Sequence, residues 1–489
     1  MATDRSPVAA TSAGTVALPL VSSGSEPSHC AASACPDPSS MNVATSEGSR
    51  TRRLTIAPTI AAREAERNRN LAPTGGLPTL DCPMARTLRL IAALLAAATL
   101  LLPAAARAAG PRATRSALGA QMRAAGAGSG ALAVDLDSGR QIFASRPDVP
   151  RMPASVNKLF TTSTALTLYG PTGHLTTSAL GDVGVDPGGV LNGNLYLHGG
   201  GDPSFGSLQL SELADQLLLD QGLREITGRV IGDETAFDAR RGPPSEGFRT
   251  TFEVGGPLSA LTFNRGRTGK RRPYFQASPA RFAARQLDRL LRSHGVITGG
   301  AARAGRTPRG ALTLVEHSSP TLAELARVTN RPSDNFMAET LIKALGSEFG
   351  TGGTTRAGAV VVKRTMQGFG LSPKIVDGSG LSRSDRTTPR QVVTLLDHMS
   401  TDLAGPAFAT SLAVVGRNGT LFDRMRRTAA RDRCQGKTGT LHDVSALAGY
   451  CQTTAGSRVA FAILMNGVNP YGARRLQDRM VAALARYSP

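Results

Sequence analysis

The stretch MPASVNKLFTT, Met152 to Thr162, holds one of only six lysines in a chain of 489 residues. The six are Lys158, Lys270, Lys343, Lys363, Lys374 and Lys437, and the other fifty of the 56 basic residues are arginine. Arginine stays protonated, whereas a buried lysine can lose its proton and act as a base. Lys158 is therefore a candidate base before any motif is considered. After Pro153 the run SVNKLFTTSTALTLYG, residues 155–170, reads as a mainly apolar and hence buried helix closed by Gly170. Ser155 and Lys158 stand three apart at its start, on one face and near the positive end of the helix dipole. A serine hydroxyl is a weak nucleophile without a base, and a lysine in a dry pocket near a second cation can supply one. Alone, this spacing is expected about once by chance in such a chain.

Two further clusters strengthen it. Ser333-Asp334-Asn335 opens another apolar helix. It can be read as a hydroxyl and an amide offered to a substrate, or as an ordinary N-cap. Lys437-Thr438-Gly439 falls on a predicted strand, where a cation, a hydroxyl and bare backbone can line an extended substrate. The plainer reading of that cluster is an edge strand with a solvated lysine.

The length allows two or three domains. From Met84 the chain reads MARTLRLIAALLAAATLLLPAAARAAG: a basic start, a thirteen-residue apolar run and the small-residue site Ala106-Arg107-Ala108. Those are the parts of a secretory signal peptide, and the run is short of the ~20 residues of a spanning helix. Residues 1–83 are rich in Ser, Thr, Ala and Pro without hydrophobic period, as in a disordered extension or a mis-assigned start. The mature chain is expected to begin near Ala109 and to work outside the cytoplasm, in the periplasm or cell envelope. Cys30, Cys35 and Cys82 precede that point, so Cys434 and Cys451 remain as an expected pair. Seven scattered histidines and no CxxC or HExxH leave no metal site and no cofactor in the reading. Beyond residue 108 there are 46 basic and 29 acidic residues, a net +17. That excess suits loose attraction to an anionic envelope, or merely a solvated arginine-rich surface. No basic helix or aromatic-interleaved patch supports a nucleic-acid partner.

Along the mature chain a helix and a strand pair come first, with Asp137-Ser138-Gly139 at the turn. Residues 173–309 are glycine-rich with short strands and one amphipathic helix near 280–293. Helices return after Ser318, and the chain ends strand, strand, helix from Cys434 to Tyr487. This order implies an α/β (α+β) fold: a catalytic domain of 109–172 and 310–489, interrupted by an inserted strand-rich domain, 173–309.

Together, S-x-x-K, S-x-N and K-T-G in that order are the triplet of penicillin-binding proteins and serine β-lactamases. HGGGDPSF (198–205), GRVIGDETAFD (228–238), PSDNFMAE (332–339), DGSGLSRSDRTTP (377–389) and GKTGTLHDVSALAGY (436–450) carry a closer resemblance. With them the chain resembles a class C low-molecular-mass penicillin-binding protein, the D-alanyl-D-alanine carboxypeptidase/endopeptidase family, peptidase family S13. The resemblance implies a transpeptidase-like domain with an antiparallel sheet flanked by helices, acting on peptidoglycan stem peptides and acylated by β-lactam antibiotics. It implies Ser155 as nucleophile and Lys158 as base. Ser333 would relay a proton, and Asn335 would hold the peptide and Lys158. Lys437 and Thr438 would receive the terminal carboxylate, and Gly439 would leave room for the substrate backbone. The N–H groups of Ser155 and Thr440 would form the oxyanion hole. Larger members carry two nested domains between the first two motifs; the 178 residues here suit one compact insert and at most a remnant of the second. A serine β-lactamase would need a deacylating acid, and Glu339 and Glu348 are the glutamates in the relevant interval, neither in an E-x-x-L-N context. A non-catalytic wall-binding protein would be expected to have a damaged triplet.

If the K-T-G strand and SALAGYCQT form a hairpin turning near His442-Asp443, opposed residue numbers sum to 885, which sets Cys434 against Cys451. Export then favours a disulfide between them. A register shifted by one would separate them, and two buried free thiols are the other possibility.

Overall fold

The computed structural model of the chain describes residues 108–269 and 274–489; the expected leader, save its last residue, and the segment before it lie outside them. Helix α1 (Pro111–Ala124) leads into β1 (Ser129–Asp135) and β2 (Gln141–Ser145), and a 3-10 turn (Ala154–Asn157) runs straight into α2 (Lys158–Tyr169). Next come β3 (Thr176–Gly181), β4 (Val190–Leu191), β5 (Leu195–Gly199), α3 (Ser207–Leu219) and β6 (Glu225–Asp233). They are followed by β7 (Arg267–Thr268), β8 (Tyr274–Phe275), α4 (Pro279–Ser293), β9 (Ile297–Ala304) and β10 (Leu312–Ser318). Five helices follow: α5 (Leu322–Asn330), α6 (Asn335–Phe349), α7 (Thr355–Gly368), α8 (Pro389–Thr401) and α9 (Gly405–Thr410). The chain closes with β11 (Ala413–Val414), β12 (Cys434–Leu441), β13 (Val444–Gln452), β14 (Arg458–Asn466) and α10 (Pro470–Leu484).

The main sheet is antiparallel, in the order β11-β12-β13-β14-β1-β2. Period-two alternation gives it two unlike faces. On β14, Val459, Phe461, Ile463 and Met465 join Leu447 of β13 in a core with Leu118 and Met122 of α1 and Met480 and Leu484 of α10. The intervening Ala446, Ala448, Ala460, Ala462 and Leu464 face the opposite core, with Leu159 and Phe160 of α2, Ile342 of α6 and Leu395 of α8. Small side chains on this second face let the α2 layer approach closely, and α2 carries Lys158. Strand β11 pairs only with Gly436 and Gln435, so from Lys437 onward that edge of β12 has no strand partner among the described residues.

The second sheet is mixed. Strands β10, β3 and β5 run antiparallel, while β6 pairs in parallel with β5, β4 and β9. Leu210, Leu213 and Leu217 of α3 and Leu287 and Leu291 of α4 pack with its strand residues Leu195, Leu197, Ile226 and Val230. Two outcomes amend the reading from sequence. The segment holds a second helix, α3, whose buried Leu210, Leu213, Ala214 and Leu217 follow helical spacing. Its sheet also extends past 309, because β10 pairs along β3 from Leu312 to Ser318. The stretch between β6 and β7 returns to α6: Asp238 pairs with Lys343 at 2.6 Å, and the backbone of Phe237 bridges to Gly353.

Candidate active site

Ser155 sits in the 3-10 turn, one residue after Ala154, whose φ is +47°. That left-handed conformation is uncommon for a residue with a side chain and is held here by close neighbours on both sides. A Cβ on Gly439 would come within 2.6 Å of the Pro153 carbonyl oxygen and 3.1 Å of the Ser155 nitrogen. A Cβ on Gly380, itself at φ +83°, would meet the Ala154 oxygen at 2.0 Å. The turn is thus wedged between β12 and the 377–382 loop, and both positions require glycine.

The Lys158 Nζ lies 2.9 Å from Ser155 Oγ, 2.7 Å from Asn335 Oδ1 and 2.7 Å from the Ser379 carbonyl oxygen. A neutral amine has two N–H bonds and one lone pair. Two carbonyl-type acceptors fix the two N–H bonds, so the lone pair points at the serine hydroxyl. Lys158 is completely buried, and burial lowers its pKa from 10.5 to about 8. The charges of Asp377, Glu339, Asp334 and Asp385 pull it back up.

Behind Lys158 three buried carboxyl groups organise the 376–386 loop. Glu339 Oε1 accepts from the N–H groups of Gly378 (3.1 Å) and Ser379 (2.8 Å). Asp377 accepts from Gly380 and Ser382, each at 2.7 Å, and Asp385 Oδ1 accepts from Val376 at 2.7 Å. Burial and the Asp377 charge push the Glu339 and Asp385 carboxyls above their ordinary range. Across the loop, Asn157 and Thr161 of the α2 layer donate to the carbonyls of Asp377 and Gly378.

Ser333 has φ +65°, and Asp334, not Ser333, caps α6 by accepting from the Met337 N–H at 3.0 Å. Arg265 grips the same carboxylate through two bonds of 2.7 and 2.9 Å, and Asn335 Nδ2 donates to the Glu253 carbonyl at 2.8 Å. The segment before β7 therefore holds the entry to α6 in place.

Alternation along β12 separates the third motif. Lys437, opposite Ala448, points into the α2 side, where Nζ donates to Ser333 Oγ at 2.7 Å and to the Thr438 carbonyl at 2.8 Å. It is completely buried; burial, then the Lys158 charge, holds its pKa well below normal. Thr438 and Thr440 point the other way, toward Thr420 (2.7 Å) and Arg474 (3.2 Å). Alternation thus sets Lys437 toward Ser333 and Thr438 toward Thr420, on either side of the same strand edge.

A cleft of about 700 Å³ is lined by Ser155, Ser333, Asn335, Thr420, Thr438, Gly439, Thr440 and Arg474. It brings together all the expected catalytic and substrate-binding residues except Lys158 and Lys437, which are buried behind its wall. Sequence reading missed Ser379, Thr420 and Arg474; the loop DGSGLSRSDRTTP, present only as part of a resemblance, was the one signal available for Ser379. Cys434 and Cys451 are directly opposed and disulfide-bonded, 4.0 Å apart at Cα.

The model of the D-Ala-D-Ala carboxypeptidase 3 (S13) family matches residues 115–272 and 270–487. The chain belongs to this family. Its members are serine-type D-Ala-D-Ala carboxypeptidases, and the activity of this chain is of that class. A D-alanyl-D-alanine carboxypeptidase of an Actinomadura species is 28% identical over 444 residues, covering 74% of this chain and 82% of that protein. Carboxypeptidase DacB of Mycolicibacterium smegmatis is 30% identical over 383 residues, covering 72% and 78%. In fold the chain is similar to penicillin-binding protein 4 of Haemophilus influenzae, at TM-score 0.66 and 20% identity over 76% of this chain and 99% of that one. Among the described residues no helix is long and apolar enough to cross a membrane.

Proposed function

We propose that the protein is an exported D,D-carboxypeptidase that removes the terminal D-alanine of peptidoglycan stem peptides through an acyl-enzyme on Ser155. The observation that carries this is the setting of the Lys158 amino group, with two carbonyl acceptors and one serine hydroxyl within 2.9 Å.

As Ser155 Oγ attacks the carbonyl between the two D-alanines, its proton passes to the Lys158 lone pair. The oxyanion is met by the N–H groups of Ser155 and Thr440, donors fixed before the reaction begins. The C–N bond breaks as the proton held by Lys158 reaches the departing amine through Ser333, which Lys437 hydrogen-bonds, leaving Lys158 neutral again. Asn335 holds both the peptide and Lys158. Water then attacks the ester, Lys158 takes its proton and returns it to Ser155 Oγ as the ester bond breaks, and free Ser155 is restored. Gly439 lets the peptide backbone lie against the open edge of β12. Thr438 and Thr440 offer hydroxyls to the terminal carboxylate.

The same serine would be acylated by β-lactams, whose ring mimics D-Ala-D-Ala; a solved structure of the Haemophilus influenzae protein holds such a compound. A β-lactamase reading is less well supported. Glu339 is sealed behind Lys158, bound to two backbone N–H groups, and Glu348 lies exposed near the far end of α6. Neither lines the cleft.

The test is mass spectrometry of purified muropeptides after incubation with the protein. Loss of one D-alanine supports the carboxypeptidase reading. Conversion of cross-linked dimers to monomers alone would make it an endopeptidase, and no change would defeat both.

A further inference from the structure

Among the described residues that line the cleft one cation has no carboxylate partner, and it is not the lysine of the third motif. Lys158 and Lys437 are completely buried, and their amino groups are occupied by Ser155, Asn335 and Ser379 in the first case and by Ser333 and Thr438 in the second. Arg424 also lines the cleft, but its guanidinium is occupied. It pairs with Asp478 at 2.7 Å and donates to Gln477 Oε1 and the Arg474 carbonyl. Asp423, the other acid of the lining, is 79% exposed at its side chain and pairs with Arg426.

Arg474 differs from these. It reaches from near the start of α10 to donate one bond, at 3.2 Å, to Thr440 Oγ1. Its guanidinium carbon lies 5.6 Å from the centre of the Tyr471 ring, which braces the fork. No carboxylate pairs with it among the described residues. Because Thr440 Oγ1 already accepts from Arg474, its own hydrogen is free to point into the cleft. Two of the alternate residues of the open β12 edge, Thr438 and Thr440, then stand beside a guanidinium with donors to spare. A planar carboxylate accepting from an arginine fork and flanking hydroxyls is the arrangement those donors fit.

We propose that Arg474 is the substrate-binding cation that recognises the free C-terminal carboxylate of the stem peptide, next to the hydroxyls of Thr438 and Thr440. The proposal rests on the carboxypeptidase reading and names the group that confines it to chain ends. Lys437 acts on the other side of the strand, on Ser333.

The experiment compares an acyl-D-Ala-D-Ala peptide with the same peptide ending in a carboxamide, for the wild-type chain, Arg474→Gln and Arg474→Lys. Loss of a charge-assisted bond should lower kcat/KM of Arg474→Gln on the free acid by about 30-fold, chiefly through KM. On the carboxamide the same variant should stay within about threefold of wild type, which also shows that it is folded. Arg474→Lys should recover part of the loss on the acid. Equal losses on both peptides, or a wild-type preference for the acid in Arg474→Gln, would overturn the assignment while leaving the peptidase reading untouched. A wild-type protein that cleaves neither peptide and takes no penicillin label at Ser155 would overturn that reading itself.

Discussion

Lys437 donates to Ser333 Oγ across 2.7 Å, from the face of β12 opposite Thr438 and Thr440. That geometry predicts separate work for the lysine and the threonine of the third motif. Lys437→Gln should lower kcat on free-acid and carboxamide peptides alike, by about 100-fold, as expected when a proton relay loses its partner. Ser333→Ala should behave the same way. A Lys437→Gln effect confined to the free acid would show that the ammonium acts on the carboxylate after all.

Lys158 must be neutral to accept the serine proton. With its pKa lowered by burial from 10.5 to about 8, the neutral fraction at pH 7 is about 300 times that of an ordinary lysine. The rate of penicillin acylation should therefore be half-maximal near pH 8, fall about tenfold per unit below it and level off above. Lys158→Arg keeps the charge and loses the base, so it should label as poorly as Lys158→Ala. A pH-independent rate between 6 and 9 would remove Lys158 from the role.

Glu339 illustrates the opposite sign. Its folded pKa is raised, so the protonated carboxyl suits the fold, and stability is lost as pH rises through that raised value. Glu339→Gln mimics the protonated form and keeps an acceptor for the Gly378 and Ser379 N–H groups. Going from neutral to alkaline pH, the variant's Tm should fall less than that of wild type, by about 2 °C or more. Parallel Tm curves would mean that Glu339 is already ionised in the fold.

Cys434 and Cys451 close a loop of 17 residues, which the chain-entropy account values at about 3 kcal/mol. A non-reduced tryptic digest should yield the peptides on either side of Lys437 joined by a disulfide. Reduction should weaken substrate binding before the domain unfolds, since the bond ties down the start of the strand that faces the cleft. Recovery of two separate thiol peptides without reductant would exclude the bond.

A chain of 489 residues that spends only six lysines, and two of them in S-x-x-K and K-T-G, discloses its catalytic chemistry without a structure. Local periodicity was enough for α2, α6, β12 and β13. Counting outward from a turn at His442-Asp443 set Cys434 against Cys451, and the hairpin realises that register rather than one shifted by a residue. Alternation also places Lys437 and Thr438 on opposite faces of β12. What no local pattern could disclose is which groups meet from distant parts of the chain. The Ser379 carbonyl on Lys158, Arg265 on Asp334 and Arg474 on Thr440 join residues 221, 69 and 34 positions apart. Those meetings depend on how the loops and helices pack on the two faces of the main sheet. The residue types at 155, 158, 333, 335 and 437–440 define the reaction available to the chain. Only the packed fold decides which lysine lies beside Ser155, which contacts Ser333, and which arginine lining the cleft has no carboxylate partner, because burial and direction are properties of the tertiary structure.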